Sequence, residues 1–204
     1  MNCVKKTRSE LKRAANVEAA IEAFHQNGIN ETSMDKIAEL ANVSKRTVYN
    51  HFASKEILVT QIFKEIWRNL QISNDLPYDK HKPLDSQLEK LLVDEMKFSG
   101  CPEYIEMIRF AMGYFIHKPD EMREYSDEFM NADTALKRWL KSAMEDNKIK
   151  SIDVEEANHR LLDLIKGKSF WPQLLRRDPL LTDQERQALA KDSAGMFLAY
   201  YGVK

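Results

Sequence analysis

A chain of 204 residues, 43% hydrophobic and 31% charged, has room for one large or two small domains and is too apolar to be disordered. Six glycines and six prolines are too few for the chain reversals of a sandwich, a barrel or a many-stranded sheet, which leaves an all-α class. No apolar run reaches the roughly 18 residues of a membrane span, no apolar leader follows Met1, and Cys3 and Cys101 lack the spacing of a disulfide framework or zinc site, so a cytoplasmic protein without metal or cofactor is expected.

The first predicted helix covers residues 7–26, where Ala14, Val17, Ile21 and Phe24 recur at helical spacing and Asn27-Gly28 supplies the stop. Thr32 and Asp35 fit a capping box that opens a short second helix, with Met34, Ile37, Ala38 and Ala41 on one side. Asn42-Val43-Ser44 interrupts that helix, since Asn tolerates the left-handed conformation of a tight turn. Ser44 then caps a third helix, residues 45–51. After a break at Phe52-Ala53-Ser54, a fourth runs from the Ser54 cap through Leu58, Ile62 and Ile66 to about residue 72. Helices of two turns are too short to stand alone, so the first and fourth must hold the second and third.

Residues 74–83, with two prolines and mixed charge, mark the boundary between a domain of residues 1–73 and a larger one of residues 74–204. Helical patterns recur beyond it at 84–98, 102–117, 120–146, 153–171 and 182–201, giving about nine helices in all. The net charge of −1 hides an asymmetry: residues 1–70 carry 11 Lys and Arg against 8 Asp and Glu, and residues 71–204 carry 20 against 24. Lys5, Lys6, Arg8, Lys12 and Arg13 crowd the first thirteen residues, against Glu10 alone. Such an end is either a polyanion-facing arm or a solvated tail, and charge alone leaves both open.

A helix, a three-residue break and a short second helix form the pattern of a helix-turn-helix DNA reader. The first turn of the second of these, Ser44-Lys45-Arg46-Thr47, joins a capping hydroxyl, two cations and another hydroxyl at a positive helix end. Tyr49, Asn50 and His51 add polar tips of base or phosphate reach, Val48 and Phe52 would turn inward, and Lys55 adds a cation at the next helix. A surface hairpin with incidental cations is the plainer alternative at this point.

The stretch from residue 16 to 63 resembles the N-terminal domain of the tetracycline-repressor (TetR) family. The resemblance is carried by Thr32-Ser33-Met34-Asp35-Lys36-Ile37-Ala38, by Val43-Ser44-Lys45-Arg46-Thr47-Val48-Tyr49-Asn50-His51-Phe52 and by Ser54-Lys55-Glu56. It implies an all-helical, homodimeric transcription regulator, usually a repressor, released from a palindromic double-stranded DNA operator by a small-molecule effector in the C-terminal domain. By the same resemblance Thr32 and Ser33 face phosphate at the start of helix two. Ser44, Lys45, Thr47, Tyr49, Asn50 and His51 form the DNA-facing surface, and Lys55 clamps the backbone. Asn42 and Arg46 stand where the family commonly has Gly. Arg46 therefore offers a long cation, either bidentate to guanine or holding a phosphate, and the two readings stand level.

In the C-terminal half, the closing Phe197-Leu198-Ala199-Tyr200-Tyr201-Gly202 resembles the AefR-like subgroup. Ile105, Ile108, Met112, Phe115 and Ile116 make one apolar stripe on the helix after Pro102, and Met107, Phe110, Ala111 and Tyr114 much of the rest. A mostly apolar effector pocket of Ile105, Ile108, Arg109, Met112, Tyr114 and Phe115 competes with plain core packing. Arg109, the one cation on that stripe, is either paired internally, the favoured reading, or open to an anionic ligand group. Family resemblance places the dimer interface on the last two helices, at Leu161, Leu164, Ile165 and Lys168 and at Ala190, Ala194, Phe197 and Tyr201. Two rivals stand beside the regulator. One is a helical protein-binding adaptor. The other is a carboxylate-metal enzyme built on Glu22–His25 and Glu156–His159, two Glu-x-x-His pairs, and is much the weaker.

Overall fold

The structure, a computed structural model, describes residues 8–28, 31–71, 76–117, 119–120, 123 and 132–203. They form helices α1 (Arg8–Asn27), α2 (Met34–Leu40), α3 (Lys45–His51), α4 (Lys55–Gln71), α5 (Leu84–Ser99), α6 (Pro102–Phe115), α7 (Ala135–Glu145), α8 (Val154–Ser169), α9 (Trp171–Arg176) and α10 (Asp183–Tyr201). Two compact units result: Met1–Arg68 together with Phe110–Tyr125, and Asn69–Arg109 together with Ser126–Lys204. The first therefore draws in a segment that lies far beyond the proline-rich stretch in sequence. Among the described residues the only extended pairing is the isolated bridge between Ile149 and Gly202.

In the first unit the predicted caps and breaks act as the chemistry requires. α1 stops at Gly28, whose φ of +81° is costly for any side chain, and α2 closes into Asn42 at φ +52°. Ser44 accepts a hydrogen bond from the Thr47 amide, and Ser54 from the Ile57 amide, so two helix starts are satisfied by hydroxyls. The second helix differs from expectation. Its cap is Ser33, which accepts from the Lys36 amide, because the Thr32 hydroxyl is buried and donates instead to the Gly28 and Ala23 carbonyls. The core joins Val17, Ala20, Ala23 and Phe24 of α1, Ile37 and Ala38 of α2, Val48 and Phe52 at α3, and Leu58, Val59 and Ile62 of α4. Arg13 ties α1 to its neighbours, donating to Gln61 Oε1 at 3.2 Å with its guanidinium 5.3 Å from the Phe52 ring centre. Asn16 is fully buried on α1, and neither its amide nitrogen nor its oxygen has a hydrogen-bond partner among the described residues.

The second unit is a helical bundle in which α5 and α10 pack most extensively. Leu88, Leu92 and Met96 of α5 meet Trp139 and Leu140 of α7, Leu161 and Ile165 of α8, and Ala190, Ala194 and Phe197 of α10. On α7 the buried Leu136, Trp139, Leu140 and Ala143 repeat every three or four residues, the period of a helix with one apolar face. The continuous helix expected over residues 120–146 is not found: 132–134 are non-helical and the Thr134 hydroxyl accepts from the Lys137 amide, starting a new helix. The helix expected over 153–171 ends at Ser169. Phe170, at φ −136°, breaks it, and α9 follows, closing on Arg177 at φ +59°.

Gln87 organises the entry to α5. Its side-chain amide donates to the carbonyls of Asp79, Lys82 and Pro83, while its oxygen accepts from the Asp79 amide and from the buried Trp139 indole. Pro83, at the start of α5, supplies no side-chain cap, and this inward-facing glutamine serves the carbonyls of the turn that leads into the helix.

Candidate nucleic-acid interface

α3 is a short rod fixed by its inner face. Val48 is 0% and Phe52 1% exposed, so rotation about the helix axis would pull both from the core. That restraint aims the remaining side chains outward: Ser44, Lys45, Arg46, Tyr49 and Asn50 are exposed, and Thr47 and His51 are half-buried. Three of them, Ser44, Thr47 and Lys45, are committed locally. The Thr47 hydroxyl lies 2.8 Å from that of Ser44, and the Lys45 ammonium lies 2.5 Å from Asp35 Oδ2 on α2. Arg46, Tyr49 and Asn50 have no such engagement among the described residues, and Arg46 is the cation left open at the tip of the rod.

A second group gathers where α2 begins beside α4. Lys55 donates to the Thr32 carbonyl at 3.2 Å, and the exposed Ser33 follows, so Thr32, Ser33 and Lys55 converge on one place. Thr32 contributes differently from expectation. Its side chain is 1% exposed and spent on main-chain carbonyls, so it holds the segment between α1 and α2 and presents no hydroxyl to an outside phosphate. Of the basic N-terminal residues, Lys5 and Lys6 lie outside the described residues, Lys12 is exposed and Arg13 is engaged internally. The Asp35–Lys45 pair escapes sequence reading because a contact between two short helices, ten residues apart, leaves no periodic trace.

The predicted effector residues are divided between the two units: Ile105, Ile108 and Arg109 belong to the second, Met112, Tyr114 and Phe115 to the first. Ile105, Tyr114 and Phe115 are buried, and the Tyr114 hydroxyl donates to Glu56 at 3.2 Å. The Arg109 guanidinium donates to the Leu174 carbonyl at 2.9 Å and the Gln173 carbonyl at 2.5 Å and pairs with Glu106, so its charge is answered within the chain. An open cleft of about 760 Å³ lies elsewhere in the second unit, between residues 76–82 and Ser142, Glu145 and Asp146. On its rim the Tyr78 hydroxyl donates to Asp146 at 2.7 Å, and burial together with that carboxylate pushes its pKa up to about 12. Deeper in the bundle Glu95 stands 3.9 Å from the Lys166 ammonium. Burial raises its pKa, and Lys166 opposes the shift.

Six of the eight residues assigned from sequence to a dimer interface are core residues of one chain. Leu161, Ile165, Ala190, Ala194, Phe197 and Tyr201 are at most 8% exposed and pack against α5 and α7. An apolar stripe on a helix looks the same whether its cover is another helix of the same chain or of a second copy. Leu164 and Lys168 do face outward, as do Met196 and Tyr200, at 61% and 67% exposure. In the rival metal pairing the His25 side chain lies outside what is described, and the Glu22 carboxylate accepts from Gln26 at 2.5 Å. The Glu156 carboxylate is taken by Arg160 at 2.6 Å, and among the described residues no group of three or more His, Cys, Asp or Glu is placed to hold a metal ion.

Comparison with known proteins agrees with this geometry. Residues 17–62 match the family described as bacterial regulatory proteins, tetR family, and residues 86–203 the AefR-like transcriptional repressor, C-terminal domain. The chain is 33% identical over 198 residues to the uncharacterized HTH-type transcriptional regulator YhgD of Bacillus subtilis (strain 168), covering 92% of this chain and 93% of that one. It is 30% identical over 131 residues to the probable acrEF/envCD operon repressor of Escherichia coli (strain K12), a match spanning 61% of this chain and about half, 52%, of that relative. Among solved structures, a TetR family transcriptional regulator from Pseudomonas syringae pv. tomato str. DC3000 superposes with a TM-score of 0.77 at 34% identity, covering 95% of this chain and 98% of that one.

Proposed function

Since the chain belongs to the TetR family of bacterial regulatory proteins, and is therefore a transcriptional regulator and not an enzyme, we propose that it represses by binding a palindromic DNA operator as a homodimer and is released by a small, mostly apolar ligand. The observation that carries the DNA reading is α3: a helix pinned by Val48 and Phe52, capped by Ser44, with Arg46, Tyr49 and Asn50 exposed. A rod so held enters a major groove as one piece, its base-reading atoms fixed by the core behind it.

The homodimer reading is supported by the outward faces of α8 and α10. Leu164, Met196 and Tyr200 are exposed there, and a Cβ added at Gly167 or Gly195 would meet nothing within 4 Å. Glycine inside a helix costs about 1 kcal/mol relative to alanine, and open space beside it suits the close approach of a second helix. Two-fold pairing would carry two copies of α3 to successive grooves about 34–36 Å apart. The ligand reading is supported by the apolar character of α6, where Ile105 and Met107 are buried and Ile108 and Met112 half-buried. To release DNA, a ligand must bind the DNA-incompetent arrangement more tightly than the competent one.

The test is binding to the DNA flanking the protein's own gene, read by fluorescence anisotropy between 50 and 200 mM salt. A dimer neutralising about 6–10 phosphates loses roughly a thousandfold or more in affinity over that range. Arg46→Ala across a sequence library then separates base reading, which relaxes preference at one position by about 1–3 kcal/mol, from phosphate contact, which lowers all affinities alike. A flat salt dependence with no sequence preference overturns the proposal.

A further inference from the structure

Asp35 lies in the first turn of α2 and Lys45 opens α3. Their side chains meet across the turn at 2.5 Å, with side-chain exposures of 52% and 66%, so the pair sits on the open surface that holds Arg46. Lys36, on the same helix as Asp35, is likewise matched, 3.0 Å from Glu39. Opposite charges therefore already answer these two surface lysines. A cation neutralised by its own carboxylate releases few counterions when it meets DNA, because the phosphate must first displace that carboxylate, which then lies close to the backbone as a like charge. Arg46, next in sequence to Lys45, is exposed with no such partner among the described residues.

We propose that Asp35 is a specificity-determining residue: by holding Lys45 it weakens sequence-independent attachment to phosphates and leaves Arg46 as the cation that first engages the groove. This rests on the DNA-binding reading above. Attachment to random DNA rests on phosphate contacts and has to break the Asp35–Lys45 pair to use Lys45, whereas a site that gives Arg46 and its neighbours good base contacts is held with the pair left in place. Operator binding is thus retained while random binding falls, which widens the ratio between them.

The experiment measures binding of the full chain to a 30-base-pair random-sequence duplex and to the duplex flanking its own gene, as log affinity against log salt. For Asp35→Asn the random duplex is expected to bind roughly 1.5- to 5-fold tighter per recognition helix at 50 mM salt, with the slope steeper by about one per protomer as Lys45 takes a phosphate. Preference for the flanking duplex falls in step. In a Lys45→Gln background the same substitution leaves the slope unchanged. Asp35→Ser, also tolerated in an exposed first turn, repeats the result if Asn alters the fold. A wild type that binds DNA with a slope Asp35→Asn does not change overturns the inference and spares the DNA reading, as does steepening that persists without Lys45. Failure of the wild type to bind either duplex overturns both.

Discussion

Replacing Asn16 with leucine should stabilise the first unit. Asn16 is 0% exposed and both polar atoms of its amide lack a hydrogen-bond partner among the described residues, so folding removes them from water without compensation. Such a group costs about 1–3 kcal/mol by mutational measures. Leucine has the same number of side-chain heavy atoms and the same branch point, so it removes that penalty and adds an apolar burial of about 1.5–3 kcal/mol. Its methyl groups are bulkier than the amide oxygen and nitrogen they replace, and overpacking in a tight core takes back about 1–3 kcal/mol. The net expectation is about 2 kcal/mol of stabilisation. For a unit of this size each kcal/mol moves the midpoint by roughly 4–8 °C, which differential scanning calorimetry resolves easily. An Asn16→Leu midpoint equal to or below that of the wild type would refute the reasoning, because the amide penalty removed and the burial added would then not exceed the cost of overpacking.

Ser44→Ala removes the hydroxyl that accepts from the Thr47 amide. A loss of about 0.5–2 kcal/mol follows, seen as a lower urea midpoint at constant m-value. The Glu185 carboxylate accepts from the Thr182 amide and hydroxyl, which lowers its pKa, and Arg186 lowers that of Asp183. Depressed carboxylate pKa values contribute stability above the unfolded values near 4 that is lost as pH falls through the folded ones. The thermal advantage of wild type over Glu185→Gln should therefore shrink between pH 5 and 3, and an advantage that persists at pH 3 counts against the capping box. Met196→Glu and Tyr200→Glu, at exposed positions of α10, should shift sedimentation toward monomer with little change in Tm. Leu161→Ala, in the core of one chain, should instead cost about 2–5 kcal/mol of stability.

The helices α1 to α4 were legible in the sequence because their signals are local, whereas the inclusion of Phe110–Tyr125 in the first unit was not. Ser44, Ser54, Asn42 and Gly28 each act on backbone within four residues, and each acts in the structure as its chemistry dictates. Thr32 was misread because a hydroxyl beside a serine gives no sign of which one caps and which turns inward, a choice made by the buried carbonyls of Ala23 and Gly28. The second unit shows the limit of periodicity. The stripe through Ala190, Ala194 and Phe197 announces that a face is covered and is silent on what covers it. Thr134 and Phe170 interrupt patterns that read as unbroken, since neither a threonine nor an aromatic residue is a strong break by itself. Arg109 finds its carbonyl partners 64 and 65 residues away, a distance no window can span.

The glutamine beneath residues 79–83 has a consequence for motion. One side chain at Gln87 fastens three carbonyls and an amide of that turn to α5, and the indole of Trp139 locks the same oxygen from α7. The turn is therefore no hinge: it travels as an outcrop of the bundle, and a glutamate in place of Gln87 would remove the donor that three carbonyls share, leaving those of Asp79 and Pro83 to the Lys82 and Gln87 amides. Flexing there requires the buried amide to let go of the whole turn together, an all-or-none release in place of a gradual bend.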